Sequence, residues 1–272
     1  PRQDLDSFLR SKAAQPLKVF STELALSRHI LLLAGSDDPA ISMIQGVLHR
    51  MHPDFLLFSA SVGSREGLEL LARHHCHIAL SHLFDDRVKD YNFPFFHGIF
   101  ERPGELAVIN LFHRTVGFLS KSGKVRSFAD LLSSKASFVN RQQGSGIRHR
   151  IDRMMKGEGI DPKDVPGWNH EVYTHLDVAR HVLGGSADAG VAIESVARYS
   201  GLHFSQLFEE RFDMVLFKDQ FFERNVQIFV EFVRSEQFRD LLSVMSGYST
   251  ATTGTVLYPS SQDSTTLQRE GE

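Results

Sequence analysis

Ala136-Ser137-Phe138-Val139-Asn140-Arg141-Gln142-Gln143-Gly144-Ser145-Gly146 is the stretch on which the fold turns. Residues 136–141 read as a short buried strand, and residues 144–156 as a helix. The two glycines between them let the backbone approach a ligand closely. The first N–H groups of the helix are free donors with a partial positive charge, and Arg141 adds a permanent forked cation. A strand, a glycine turn and a helix make the repeating unit of an α/β sheet. The junction therefore suits a carboxylate or an oxyanion, the alternative being a plain turn with Arg141 in solvent.

The same rhythm runs outward on both sides. Upstream, 29–35, 55–62 and 76–83 read as strands. Between them lie helices at 38–51, with Ile41, Ile44, Val47 and Leu48 on one stripe, and at 64–75. A longer extended run covers 106–120. The alternation then restarts with a helix at 128–133, a strand-like run at 171–174, a helix at 176–183 and a strand at 187–193. Residues 212–218 are extended again. Residues 224–245 read as one long or two successive helices, with Phe221, Phe222, Phe229, Phe232 and Phe238 on an inward face.

The fold class expected is thus α/β, two-lobed, with two crossover connections near 106–118 and 206–218. Lobe 1 is expected at 28–108 plus 212–250, lobe 2 at 109–211 and a tail at 251–272, each lobe with a sheet of its own. Ligands of open α/β sheets sit at the C-terminal strand ends, so two such edges define a cleft.

Three further strand-to-helix junctions carry small polar residues. Ser36 and Asp37 stand before Pro39, Ser61 and Ser64 flank Gly63, and Thr174 and His175 precede Leu176. Each serves either as a helix cap or as a ligand donor. The expected ligand set is Ser36, Asp37, Ser61, Ser64, Arg141, Gly144, Ser145, Gly146, Thr174 and His175. In an open, ligand-free cleft Arg141 is expected to be hydrated.

Other chemistries fit poorly. Gly144-Ser145-Gly146 is not the hydrolase elbow, and Gly117–Lys124 misses the P-loop spacing, with Val125 where Ser or Thr belongs. His74-His75-Cys76-His77 offers metal-binding side chains, but adjacent residues rarely converge on one ion. Catalysis would need a base and a nucleophile facing the cleft, and His175 and Glu194 are the candidates. No enzyme activity, cofactor or metal is expected. With 30 Lys plus Arg against 33 Asp plus Glu, the chain is a poor nucleic-acid binder by itself. One cysteine excludes an intramolecular disulfide, and no apolar run reaches membrane-spanning length.

The runs 35–40, 138–146, 174–179 and 187–194 together resemble the periplasmic-binding-protein-like domain related to molybdate- and tungstate-binding proteins. That resemblance implies a type II binding-protein fold and an oxyanion-type ligand, often within the effector domain of a transcription regulator. Ile147 stands where the family commonly has Thr, which removes a hydroxyl donor. Separately, Pro1–Arg10 resembles the closing helix of an excisionase-type winged helix-turn-helix module, with residues 1–15 as its remnant. The chain opens without Met and without a signal-peptide pattern.

These likenesses imply that the chain is the ligand-sensing domain of a bacterial transcription regulator that binds a small anion. Such a protein is expected to be cytoplasmic and homodimeric, touching DNA only through a helix-turn-helix head. The alternative is a free solute-binding protein of an ABC-type transporter, working in the periplasm.

Overall fold

A computed structural model describes residues 29–258. The Pro1–Arg10 pattern and the Ser- and Thr-rich segment after Tyr258 lie outside them. The chain starts with β1 (Ile30–Gly35), α1 (Pro39–Met51), β2 (Leu56–Ser61), α2 (Ser64–Ala72) and β3 (Ile78–Ser81). A small hairpin, β4 (Phe84–Asp85) and β5 (Asp90–Tyr91), and a single turn, α3 (Phe93–Phe96), lead into β6 (Leu106–Ser120). The second run is α4 (Phe128–Ser134), β7 (Phe138–Arg141), α5 (Gly146–Gly157), β8 (Glu171–Val172), α6 (His175–Gly184), β9 (Ala189–Ile193) and α7 (Glu194–Tyr199). The chain returns through β10 (His203–Phe217) and ends with α8 (Arg224–Arg234), α9 (Glu236–Ser243), β11 (Tyr248–Ser249) and β12 (Val256–Leu257).

Two lobes result, because the buried apolar side chains fall into separate cores. One core joins Val116, Phe118, Phe128, Phe138, Ile147, Ile151, Val178 and Val191. The other lobe carries apolar packing on both faces of its strands. Leu31, Ile44, Phe112, Phe212, Phe229 and Phe238 lie in one cluster, and Leu68, Phe96, Val108 and Val215 in another. β6 and β10 contribute their two halves to different cores, so they are the crossover connections. β10 begins at His203, earlier than the apolar run at 212–218 suggests, because of residues 203–211 only Phe208 and Glu210 are buried.

The expectation of two separate sheets is corrected. β6 and β10 pair antiparallel along their whole length, from Leu106↔Phe217 to Ser120↔His203. This ladder fuses both lobes into one hydrogen-bonded path, β2-β1-β3-β10-β6-β9-β7-β8. Register shifts at Gln206/Phe208 and at Phe212/Asp213 break the ladder on either side of its midpoint, and such bulges bend a strand and raise its twist.

Two smaller expectations also change, and one open reading is resolved. Residues 251–257 are held against β6 rather than forming a tail: β12 pairs with it, and Asn110 exchanges backbone hydrogen bonds with Gly254 and Thr255. The final helical run is two helices, because Ser235 caps a new one through Phe238 N. Phe222 lies in a 3-10 turn and is exposed, whereas Phe229, Phe232 and Phe238 are buried.

Candidate functional site

The site lies where the lobes meet, at the C-terminal ends of β1, β3 and β7. Asp38 caps α1 by accepting from Ala40 N, with Pro39 at the first helical position. The cap is therefore Asp38, not Ser36 or Asp37. Their freed side chains turn elsewhere: Ser36 Oγ meets Ser64 Oγ at 2.6 Å. Gly63, not Ser64, occupies the cap position of α2, leaving the Ser64 hydroxyl to accept from His82 N.

Beneath these loops runs a buried ionic cluster that sequence reasoning missed. Arg114, 1% exposed, donates from Nε to Glu210 Oε1 at 2.7 Å and from Nη1 to Asp38 Oδ2 at 2.5 Å. It also reaches the Asp37 carbonyl at 3.1 Å. The Tyr248 hydroxyl lies 2.7 and 2.9 Å from the two Asp38 oxygens. His82 Nδ1 sits 2.9 Å from Glu210 Oε2, off the ideal hydrogen-bond direction, and its Nε2 lies 3.4 Å from Arg114 Nη2.

Burial alone would neutralise the Glu210 carboxyl, but His82 and Arg114 outweigh it and bring its pKa to about 2. Burial also works against the Arg114 charge, yet Glu210 and Asp38 hold its pKa above the usual arginine range. Asp38 keeps a raised pKa because desolvation exceeds the help from Arg114 and Tyr248.

Arg141 stands apart from this cluster. At 3% exposure it is buried, not hydrated. Its Nη2 donates to the Tyr173 carbonyl at 2.6 Å and its Nε lies 3.4 Å from Gln142 Oε1. Both acceptors are neutral, and among the described residues no carboxylate forms an ion pair with it. Desolvation accordingly lowers its pKa to about 10, with Asp37 the nearest relief.

Around it are buried polar atoms without hydrogen-bond partners: Gln142 Nε2 and both ring nitrogens of His175. Burial and the Arg141, Arg114 and His82 charges push the His175 pKa well down. The site thus holds one desolvated cation and unpartnered donors, which is what a bound anion requires.

The lobes touch around this point. The Asp37 carboxylate accepts from His175 N, the first free donor of α6, at 2.9 Å. An added Cβ at Gly146 would lie 2.5 Å from the His82 ring, and one at Gly63 would lie 3.2 Å from the Gly144 carbonyl. Gly63 also has φ 97, a left-handed value that glycine adopts without strain.

Of the expected ligand set, the structure brings Ser36, Asp37, Ser64, Arg141, Gly146 and His175 together, with exposed Gly144 against Gly63. Ser61 is exposed and points to Asp37. Ser145 caps α5 by accepting from Arg148 N, which leaves its O–H free to donate, whereas Thr174 caps α6 by accepting from Asp177 N and also donates to Asp177 Oδ2. Ile147 packs in the second lobe's core. Glu194 pairs with Arg198 rather than with His175.

The histidine run disperses as well. His74 stacks on Phe217, and His77 Nδ1 accepts from Leu32 N. The Cys76 thiol is buried, which raises its pKa to about 12. No helix among the described residues is long and apolar enough to cross a membrane.

Two α/β lobes on paired crossover strands, closed over a buried cation, define a binding-protein domain. Residues 46–234 match the PBP superfamily domain, and the chain belongs to that PBP-like superfamily. It is 31% identical over 199 residues to the uncharacterized protein YvgK of Bacillus subtilis (strain 168), covering 72% of this chain. The chain spans 63% of the length of that relative.

Solved structures share the fold at low identity. A putative phosphate ABC transporter substrate-binding protein from Clostridium perfringens, with bound phosphate, aligns at TM-score 0.60 and 14% identity, over 79% of this chain and 96% of that one. A tungstate ABC transporter protein from Geobacter sulfurreducens aligns at 0.56 and 12%, over 79% and 97%. The regulatory domain of CcmR from Synechocystis PCC6803, in complex with 2-PG, aligns at 0.57 and 11%, over 75% and 95%.

Proposed function

We propose that this chain is the ligand-sensing domain of a bacterial transcription regulator. Its ligand is a small anion, either a molybdate- or tungstate-like oxyanion or a small carboxylate, held between the lobes. The observation that carries this reading is Arg141, a buried guanidinium whose hydrogen-bond partners among the described residues are neutral oxygens. A buried charge without a direct ion-pair partner is costly, and a ligand carboxylate or oxyanion would offset that cost through charge-assisted hydrogen bonds. Ser36, Ser64, Gly146, Gln142 and His175 complete the proposed site. The cores change over between Phe112 and Val116 on β6 and between Phe208 and Phe212 on β10, so the two halves of the proposed site come from different lobes.

A regulator works in the cytoplasm, commonly as a homodimer on two-fold operators. Anion binding would favour the closed form and so alter an attached DNA-binding head. Free solute binding for an ABC-type transporter is the second reading, favoured by the likeness to the phosphate and tungstate proteins. It would place the chain in the periplasm and make Arg141 serve transport instead.

The test is a thermal-shift series with molybdate, tungstate, sulfate, phosphate and small carboxylates, since a ligand that binds only the folded state raises the melting temperature. The full-length protein is then assayed on its upstream DNA with and without the active anion. Anion-dependent DNA binding supports the regulator. An export signal in place of a helix-turn-helix head overturns it in favour of the transporter.

A further inference from the structure

The charges enclosed at the site are nearly balanced before any ligand enters. Arg114 and Arg141 supply two positive charges, and Asp38 and Glu210 two negative ones; Asp37, half-buried, adds a third negative charge at the lobe contact. An anion entering here adds negative charge in a low-dielectric setting, where like charges repel strongly. A second negative charge on the ligand deepens that imbalance unless a proton enters with it.

The groups that could take the proton differ in what they already bind. Asp38 accepts from Arg114, Tyr248 and Ala40 N, so a proton there displaces a hydrogen bond. Glu210 is committed to Arg114 and faces His82. A proton on His82 Nε2 would point at Arg114 Nη2, 3.4 Å away. His175 is fully buried and neither ring nitrogen has a hydrogen-bond partner. The charged and titratable groups around it are Arg141 from β7, Arg114 from β6 and His82 after β3, with Asp37 after β1 on its backbone N–H. Without an anion, burial and the Arg141 and Arg114 charges keep the ring neutral; a doubly charged anion reverses the local field.

We propose that His175 is a specificity-determining residue that sets the ligand's charge. The site takes a monoanion as it stands, and takes a dianion together with one proton bound by the His175 ring. This rests on the anion-binding reading above and goes beyond it by fixing the charge state in which the ligand is held.

The experiment is isothermal titration calorimetry on the wild-type chain in two buffers of equal pH and different ionisation enthalpy. Molybdate and sulfate serve as dianions, and nitrate and formate as monoanions. A dianion is expected to take up about one proton per site, and a monoanion close to none. His175→Asn is expected to abolish the uptake and to weaken dianion binding by about tenfold or more beyond any loss it causes for a monoanion. Dianion binding without proton uptake in the wild type overturns the proposal, as does uptake that persists in H175N. The wild-type proton count decides even if the variant does not fold. If none of the four anions nor the wider thermal-shift series gives binding, the anion reading itself fails and this inference falls with it.

Discussion

Arg114 and Glu210 face each other as register partners at the middle of the two crossover strands, joined by a 2.7 Å hydrogen bond. β6 feeds one core up to Phe112 and the other from Val116, so the pair sits at the joint between lobes. Arg114 carries the linkage to Asp38, and Asp38 to Tyr248 on the C-terminal segment. The joint is therefore made of charges, while the lobes on either side are apolar. Breaking a buried ion pair by removing one partner typically costs about 3–5 kcal/mol. Glu210→Gln is expected to lower unfolding stability by roughly that range, measured by urea denaturation. A loss below about 1 kcal/mol, as for a surface pair, would contradict a role at the joint.

The buried histidines set a pH dependence. His175 and His82 have folded pKa values below the ordinary 6.5, chiefly through burial. The unfolded chain therefore binds more protons, and stability rises with pH. The histidine contribution is fully present above 6.5 and is lost as pH falls below that value. Glu210, held at about 2 against 4.5, adds a second loss as pH drops from 4.5 toward 2. The melting temperature is expected to fall steadily from pH 7.5 to pH 5 (about a His-range interval), with a shallower fall in H175N. A flat profile over that interval would contradict the burial of these rings.

Gly146→Ala tests the lobe contact. Alanine suits the first turn of a helix, so α5 itself tolerates it. The added Cβ, however, meets the His82 ring at 2.5 Å, and the cheapest relief is separation of the lobes. The variant is expected to keep its circular-dichroism spectrum, show a larger radius of gyration by X-ray scattering, and bind the active anion about tenfold more weakly, a 1.4 kcal/mol effect. Unchanged dimensions and affinity would mean the loop accommodates the methyl without opening.

Much of this fold is written locally. The β6 run 106–120 and α1, with Ile41, Ile44 and Leu48 buried, follow from apolar periodicity and turn residues. The strand-end loops were legible as well, because Gly, Ser, Asp and Pro punctuate them. The fused sheet was not, since β6 and β10 pair across some ninety residues and pairing register leaves no local trace. The ionic joint was hidden for the same reason. Arg114 and Glu210 read singly as solvated charges in extended segments, and only their register makes them partners. Caps are ambiguous in the other direction: Ser145 and Thr174 both stand where a ligand donor would stand, but Thr174 spends its proton on Asp177 while Ser145 only accepts. The one available signal for the joint was a lone formal charge within a mostly apolar strand run, Arg114 between Phe112 and Val116.

Arg141 carries the central claim, and Arg141→Met tests it most directly, because methionine keeps much of the apolar stem and removes the charge. The ligand-free variant is expected to unfold at the wild-type temperature or above it, since a desolvated charge with only neutral partners has been removed. Calorimetric titration with the anion that stabilises the wild type should then show binding weakened by about 2–5 kcal/mol, the range for truncating a buried charge partner. Wild-type affinity in R141M would contradict the account, removing Arg141 from the site and with it the case for an anion between the lobes.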